Sequence, residues 1–217
     1  MNKFYGQFEQ DKFIYERYFI DTRDGISIEC GAFDGIMESS TCFFEESLGW
    51  TTINIEASPP IFNMLVTNRK NSININRGLS NKQETLIFEH AIHPEHGIKF
   101  GNGSFNHKES HLEILKNESC KFEKYEVETI SYIDLIDPLM DEKYFGRKIN
   151  LFVLDVEGFE MEALQGMVGS KYLPEIMCVE YPHVGLDNLK TFLKNLGYRF
   201  DTLRDNNAYF IKNDTNL

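Results

Sequence analysis

Cysteine is scarce: the chain has four, at positions 30, 42, 120 and 178, and no two form a C-x-x-C pair. A disulfide framework does not suit that count at this length, so stability has to come from a buried core. Cys30 and Cys178 lie in apolar strand-like runs, where a reduced thiol packs as a small hydrophobe. A basic block is also missing. Lysine and arginine together number 22 against 34 acids, a net charge of −12. Such a balance disfavours polyphosphate backbones and anionic bilayers, so neither nucleic acid nor membrane is expected as a partner. No apolar run approaches the roughly 20 residues that span a bilayer, and the longest, such as Ile149 to Val156, are of strand length. Met1 to Gln7 carries no apolar signal core, and the expected location is the cytoplasm.

What remains suits one α/β domain over residues 1–217. Phe8, Phe13, Ile14, Tyr18 and Phe19 recur loosely at helical spacing, predicting an amphipathic helix over 7–20 within an N-terminal helical segment of about 1–22. It would lie across the sheet edge or the pocket mouth. Gly25–Cys30 reads as a first strand, Glu38–Leu48 as a helix stopped by Gly49, and Trp50–Glu56 as a second strand. Ser58-Pro59-Pro60 opens a further helix with Ile61, Phe62, Leu65 and Val66 as its apolar face. Ser72–Asn76 follows as a third strand and Gly78-Leu79-Ser80-Asn81 as a turn.

Between about 84 and 129 the rhythm changes. Thr85–Phe88 and Phe122–Thr129 read as strands around a polar, His- and Gly-rich stretch from His90 to His111: a β-rich insertion, antiparallel in pairing, able to cover a site. Alternation then resumes with a strand at Ile149–Leu154, a helix from about Glu160 to Gly166, a strand at Ile176–Val179 and a helix marked by Leu186, Leu189, Leu193 and Leu196. Tyr198–Leu203 and Ala208–Ile211 form a hairpin. The expected architecture is a mostly parallel, twisted sheet with helices on both faces and one antiparallel strand from the C-terminal hairpin.

In such a sheet the ligand crevice lies outside the carboxyl ends of the strands, where strand order reverses. Four predicted strands end in acids: Glu29, Glu56, Asp155 and Glu180. After the first comes Gly31-Ala32-Phe33-Asp34-Gly35, a Gly-x-x-x-Gly turn that permits close approach, ahead of a helix whose first turn offers free N–H donors. Glu56 lies 25 residues beyond Gly31. Near that spacing a second-strand acid accepts hydrogen bonds from both ribose hydroxyls of NAD or S-adenosylmethionine. The loop discriminates between them. A dinucleotide fingerprint needs a middle glycine where this chain has Phe33, and acids at Glu29 and Asp34 favour a cationic sulfonium over a diphosphate. An NAD-dependent oxidoreductase is therefore the weaker alternative.

Five ordered blocks carry a resemblance. These are Tyr5-Gly6-Gln7-Phe8-Glu9-Gln10-Asp11, Glu29-Cys30-Gly31-Ala32-Phe33-Asp34-Gly35, Trp50 through Glu56-Ala57-Ser58-Pro59, Gly78-Leu79-Ser80, and Leu154-Asp155-Val156-Glu157-Gly158-Phe159-Glu160. Together they resemble the FkbM family of S-adenosylmethionine-dependent methyltransferases, whose Asp-Val-Glu-Gly-x-Glu block the last of them follows closely. The loop departs from the family pattern with Glu29 for Asp and Phe33 for Asn. The resemblance implies a Rossmann-like class I methyltransferase fold and S-adenosyl-L-methionine as cofactor. It implies that Gln7, Glu29, Gly31, Ala32, Asp34 and Gly35 hold that cofactor together with Glu56, Ala57, Gly78, Leu79, Ser80 and Asp155. It implies as acceptor a small molecule, often a sugar or nucleotide-sugar hydroxyl in surface-polysaccharide biosynthesis. A non-catalytic S-adenosylmethionine-binding module is the other alternative.

An alcohol acceptor must lose its proton, usually to a carboxylate or histidine within hydrogen-bond reach. Asp155 and Glu157, two apart at a strand end, are the candidate base and acceptor anchor, with Glu157 as a helix cap the competing reading. His183, after the strand ending at Glu180, is the next candidate base. His90, His93 and His96 cannot share a helix face because Pro94 interrupts them. His107 and His111 have i, i+4 spacing but no accompanying Glu motif, and no metal site is expected.

Overall fold

The computed structural model describes residues 3–215. Met1 and Asn2, at the start of the expected helical segment 1–22, lie outside the described residues, as do Asn216 and Leu217. After a 3₁₀ turn at Gln7–Glu9, the chain runs through α1 (Gln10–Tyr18), β1 (Ile26–Cys30), α2 (Cys42–Leu48), β2 (Thr51–Ile55), α3 (Pro59–Asn68) and β3 (Ile73–Ile75). A second group holds β4 (Gly78–Ser80), β5 (Thr85–Ile92), β6 (Gly103–Ser104), α4 (Glu109–Asn117) and β7 (Lys121–Ser131). The last part comprises α5 (Tyr132–Lys143), β8 (Leu151–Leu154), α6 (Glu160–Gln165), β9 (Ile176–Glu180), α7 (Leu186–Asn195), β10 (Tyr198–Arg204) and β11 (Asn207–Lys212).

The main sheet has the order β10-β11-β9-β8-β1-β2-β3. All its pairings are parallel except those of β11, which runs antiparallel to β9 and β10. This is the expected sheet with its single reversed strand. From β1 the chain moves outward to β2 and β3, then crosses to β8 on the other side of β1. The point of reversal, where a ligand crevice opens, therefore lies between β1 and β8.

Period-two alternation sends side chains into two apolar layers. Phe152 and Leu154 of β8 and Met177 and Val179 of β9 pack with Tyr132, Ile136 and Met140 of α5, Leu164 of α6 and Leu189 and Leu193 of α7. Leu151, Val153, Ile176 and Cys178 point the other way, against Ile14 and Tyr18 of α1, Phe43 and Phe44 of α2, and Trp50. Helices thus cover both faces, and α1 lies on a face of the sheet while the residues before it reach the pocket.

Several local expectations change. Helix α2 begins at Cys42, not Glu38; Glu38 has φ of 58°, and 36–41 is irregular. Gly78-Leu79-Ser80 is a short strand pairing in parallel with Thr129–Ser131 of β7, in a separate sheet of order β4-β7-β5-β6. The antiparallel β5–β7 pairing is as expected, but the segment also contains α4. Residues 130–148, which the pattern leaves without an element, hold α5, begun by Ser131 accepting from the Asp134 N–H and continuing through Pro138. Val66 is exposed, so only Ile61 and Leu65 of α3 are buried.

Candidate active site

A cavity of about 400 Å³ opens at the carboxyl ends of β1, β2 and β8 and is roofed by the small sheet. That volume lies within the usual range of ligand pockets, roughly 300–1,000 Å³. Of the expected cofactor residues, Gln7, Glu29, Gly31, Ala32, Glu56, Ala57, Gly78, Leu79 and Asp155 line it, and Asp34, Gly35 and Ser80 stand outside the lining.

Gly31 is the hinge of the floor. Its φ is +82°, and a Cβ there would fall 1.7 Å from the Asp155 carbonyl oxygen, so only glycine lets the end of β1 sit against the end of β8. Phe33, which stands where a dinucleotide loop has glycine, adopts φ of 50° and donates its N–H to Glu56 Oε2 at 2.9 Å. Glu56 Oε1 accepts from Ser58 N–H at 2.7 Å. Each carboxylate oxygen keeps capacity for another donor. Burial raises the Glu56 carboxyl to about 7.

Glu29 faces differently. Period-two placement turns it to the α2 side of the sheet, where Oε2 accepts from Ser39 Oγ at 2.7 Å and Thr41 Oγ1 at 2.6 Å, and Oε1 accepts from Ser40 N–H at 2.6 Å. The N–H groups of Thr41 and Cys42 go to Ser39 Oγ. The expected free donors at the start of α2 are thus consumed inside the protein, and no phosphate cradle is presented. Asp34 Oδ1 accepts from Ile36 and Met37 N–H, closing the turn. A Cβ on Gly35 would meet Arg69 Cγ at 2.5 Å. Buried Arg69 donates to the Gly35 carbonyl and pairs with Glu45 at 2.6 Å, pinning the loop from beneath.

Beyond Gly31 the acids crowd together. Asp155 is open to the cavity, and Glu180 beside it is buried. Burial, then the charges of Glu157 and Glu160, pushes the Asp155 carboxyl well up. Burial, followed by the charges of Asp155 and Glu157, raises Glu180. Glu160, not Glu157, caps the helix that follows: its Oε1 accepts from Val156 and Gly158 N–H, both at 3.1 Å, at the head of α6, so the competing reading of Glu157 as a helix cap falls away. Glu157 instead adopts φ of 53° and turns its carboxylate to His183, Oε2 to Nε2 3.1 Å. That bond raises the His183 imidazolium pKa. Glu157 lines the cavity, while His183 stands behind it. His111 stacks on His183 with centroids 5.3 Å apart, whereas His107 is engaged elsewhere, with its Nε2 on the Glu89 carbonyl.

The small sheet and its connections bring in Phe88, Lys99, Asn102 and Phe105, which sequence spacing did not single out, and His90, considered there only as a metal ligand; all line the cavity. His90 Nδ1 lies 3.0 Å from Ser58 Oγ and its Nε2 2.9 Å from the Ile98 carbonyl, and burial lowers its pKa. It is a neutral strut tying the roof to α3. Only its apolar neighbours Phe88 and Ala91 hinted from sequence that this histidine faced inward.

The methyltransferase FkbM domain model matches residues 29–200. The chain belongs to the FkbM methyltransferase domain family. No curated protein matches it. Among solved structures, the METTL16 MTase domain is similar over 96% of this chain and 68% of that one, at 10% identity and a TM-score of 0.50. This FkbM-domain chain therefore has a Rossmann-like class I methyltransferase fold. A methyltransferase FkbM from Methylobacillus flagellatus KT is similar over 87% of this chain at 14% identity and a TM-score of 0.45, but the match spans only 43% of that protein. Aeropyrum pernix fibrillarin, solved with natively bound S-adenosyl-L-methionine, matches over 94% of this chain and 72% of its own at 11% identity and a TM-score of 0.45. Among the described residues of the FkbM-domain chain, no helix is long and apolar enough to cross a membrane.

Proposed function

We propose that the protein is an S-adenosyl-L-methionine-dependent methyltransferase acting on a hydroxyl of a small polar acceptor, a sugar or nucleotide-sugar of surface-polysaccharide biosynthesis. The observation that carries this reading is the lining of the cavity at the β1/β8 reversal. Its acids, Glu29, Glu38, Glu56, Asp155, Glu157 and Glu180, outnumber the bases Arg77 and Lys99. A cationic ligand suits that lining, and a diphosphate does not. Glu56, with both oxygens already oriented by backbone N–H groups, fits a ribose diol.

Bound S-adenosylmethionine would supply an electrophilic methyl group on sulfur. The chain's part is positioning, because transfer requires the acceptor oxygen about 3 Å from the methyl carbon and in line with the departing sulfur. Asp155, open to the cavity, takes the acceptor proton when ionised. Glu157 and His183 lie on the acceptor side and orient it. Phe88 and Phe105 in the roof offer apolar faces of the kind that pack on a sugar ring. The sugar assignment is supported by the family resemblance, and cytoplasmic location by the composition.

Calorimetric titration with S-adenosylmethionine and with NAD tests the cofactor: S-adenosylmethionine is expected to bind and NAD not to. A panel of neutral sugars, sugar phosphates and nucleotide-sugars, followed for S-adenosylhomocysteine release, then tests the acceptor. NAD binding in preference would overturn the reading in favour of an oxidoreductase, and cofactor binding without turnover on any acceptor would leave a binding module.

A further inference from the structure

Three side chains from three elements converge beside the cavity, which Glu157 lines: His111 from α4, Glu157 from the turn after β8 and His183 from the loop after β9. His183 Nε2 lies 3.1 Å and His111 Nδ1 3.9 Å from the same oxygen, Glu157 Oε2. All three donor atoms lie within 4.8 Å of one another. Ligands at about 2.0–2.2 Å from a tetrahedral zinc are roughly 3.3–3.6 Å apart, so small side-chain shifts close this set on one ion.

The tautomer of His111 fits the same purpose. Its Nε2 lies 3.0 Å from Asn102 Oδ1, an acceptor, so the ring proton sits on Nε2 and the lone pair on Nδ1. That Nδ1 is buried and has no hydrogen-bond partner among the described residues. A lone pair turned toward a carboxylate is repulsive unless a cation lies between them. An outer hydrogen bond that fixes the ring and leaves the inner nitrogen free is the usual support of a metal-bound histidine.

We propose that His111, Glu157 and His183 bind one divalent transition cation, zinc by preference, at the acceptor rim of the cavity. Two imidazoles and a carboxylate form a borderline donor set, which suits zinc or cobalt, whereas magnesium and calcium take oxygen ligands. Three protein donors leave a coordination position open, and an acceptor hydroxyl placed there becomes more acidic. Cation binding stands by itself; only its role beside the acceptor rests on the methyl-transfer reading above. The segment between β5 and β7 would then contribute a ligand and its support, His111 and Asn102.

The test is a Co²⁺ titration of chelator-dialysed protein, read by visible absorption. One Co²⁺ per chain is expected, displaced stoichiometrically by Zn²⁺ and unaffected by a large excess of Mg²⁺. His111→Ala should weaken binding by ~100-fold or more and Asn102→Ala by roughly 10-fold. His183→Ala, on a different element, should repeat the loss, and circular dichroism verifies the fold of each variant. Absence of saturable absorption in the wild type, affinity unchanged in folded His111→Ala and His183→Ala, or equal displacement by Mg²⁺ would overturn the proposal. S-adenosylmethionine titrated in parallel separates the two readings: its binding without Co²⁺ sinks only the metal site, and Co²⁺ binding without it sinks only the methyltransferase.

Discussion

On the sheet side of the cavity the backbone does most of the holding; on the small-sheet side the side chains do. Gly31 presses its α-carbon against the Asp155 carbonyl, and Phe33 and Ser58 aim Glu56 through their N–H groups. Across the cavity, His90 braces the roof through its ring nitrogens, and Phe88 packs edge-on to Phe105 at 5.0 Å. Backbone-held geometry changes only when the fold changes, whereas side-chain geometry changes with one substitution. The first suits an invariant cofactor and the second a variable acceptor.

The largest effect should come from breaking the backbone side. Gly31→Ala introduces a carbon where the Asp155 carbonyl already is, at a positive φ; a loss of about 3–5 kcal/mol is expected, read as a collapse of the denaturant midpoint. An unchanged midpoint would mean the two strand ends are not in contact. Next, Asp155→Asn should lower turnover by ~100-fold or more while cofactor affinity moves little. Equal losses in both would make Asp155 a cofactor ligand and not a base.

Glu29 and Glu56 sharpen the comparison because both end neighbouring strands. Glu56→Gln should weaken S-adenosylmethionine by roughly 10–100-fold, from the loss of charge-assisted hydrogen bonds. Glu29→Gln should instead cost about 1–3 kcal/mol of stability, because Ser40 N–H and two hydroxyls lose their carboxylate, with cofactor affinity nearly retained. Reversed outcomes would exchange the two roles.

A milder probe is pH. The Glu56 carboxyl is raised to about 7. The folded protein therefore holds this proton more tightly than the unfolded chain, and the group's stabilising contribution is fully present below the ordinary carboxylate range and is lost as pH rises through about 7. Cofactor binding needs the ionised form, so affinity should run the other way, about tenfold weaker at pH 6 than at pH 8. That slope should vanish in Glu56→Gln. The smallest effect belongs to Lys99→Ala in the roof. The lysine is half exposed and 3.9 Å from Asp34, so stability should move by no more than about 0.5 kcal/mol. Any rise in KM should be confined to phosphorylated acceptors.

The same division explains what could be read from the chain. Strand ends and glycine turns on the large sheet were legible because apolar runs ending in Glu29, Glu56, Asp155 and Glu180 state both the strand and its exit. Orientation was less legible. Whether Glu29 looks into the crevice or at Ser39–Thr41 depends on where α2 begins, and the helix-compatible residues before Cys42 hid that start. That Glu160 caps α6 and leaves Glu157 turned toward His183 was not legible, because the left-handed backbone at Glu157 has no signature in a non-glycine residue. Where the segment between β5 and β7 meets the main sheet, contacts between residues far apart in sequence decide the arrangement. His111 meets His183 across 72 positions, and i, i+4 spacing pointed to His107 instead. Helix α5 escaped because Pro138 sits inside it.

The abutment of Gly31 on Asp155 has a consequence for how the two substrates can be aligned. A loop that closes over a cofactor normally brings its own slack, and the distance to the reacting partner varies as it breathes. Here the turn that would cradle one reactant and the residue that would receive the other's proton share a single steric contact, with no side chain between them to flex. Were donor and acceptor seated there, their spacing would be set at the junction of two strands, and thermal motion would displace both together.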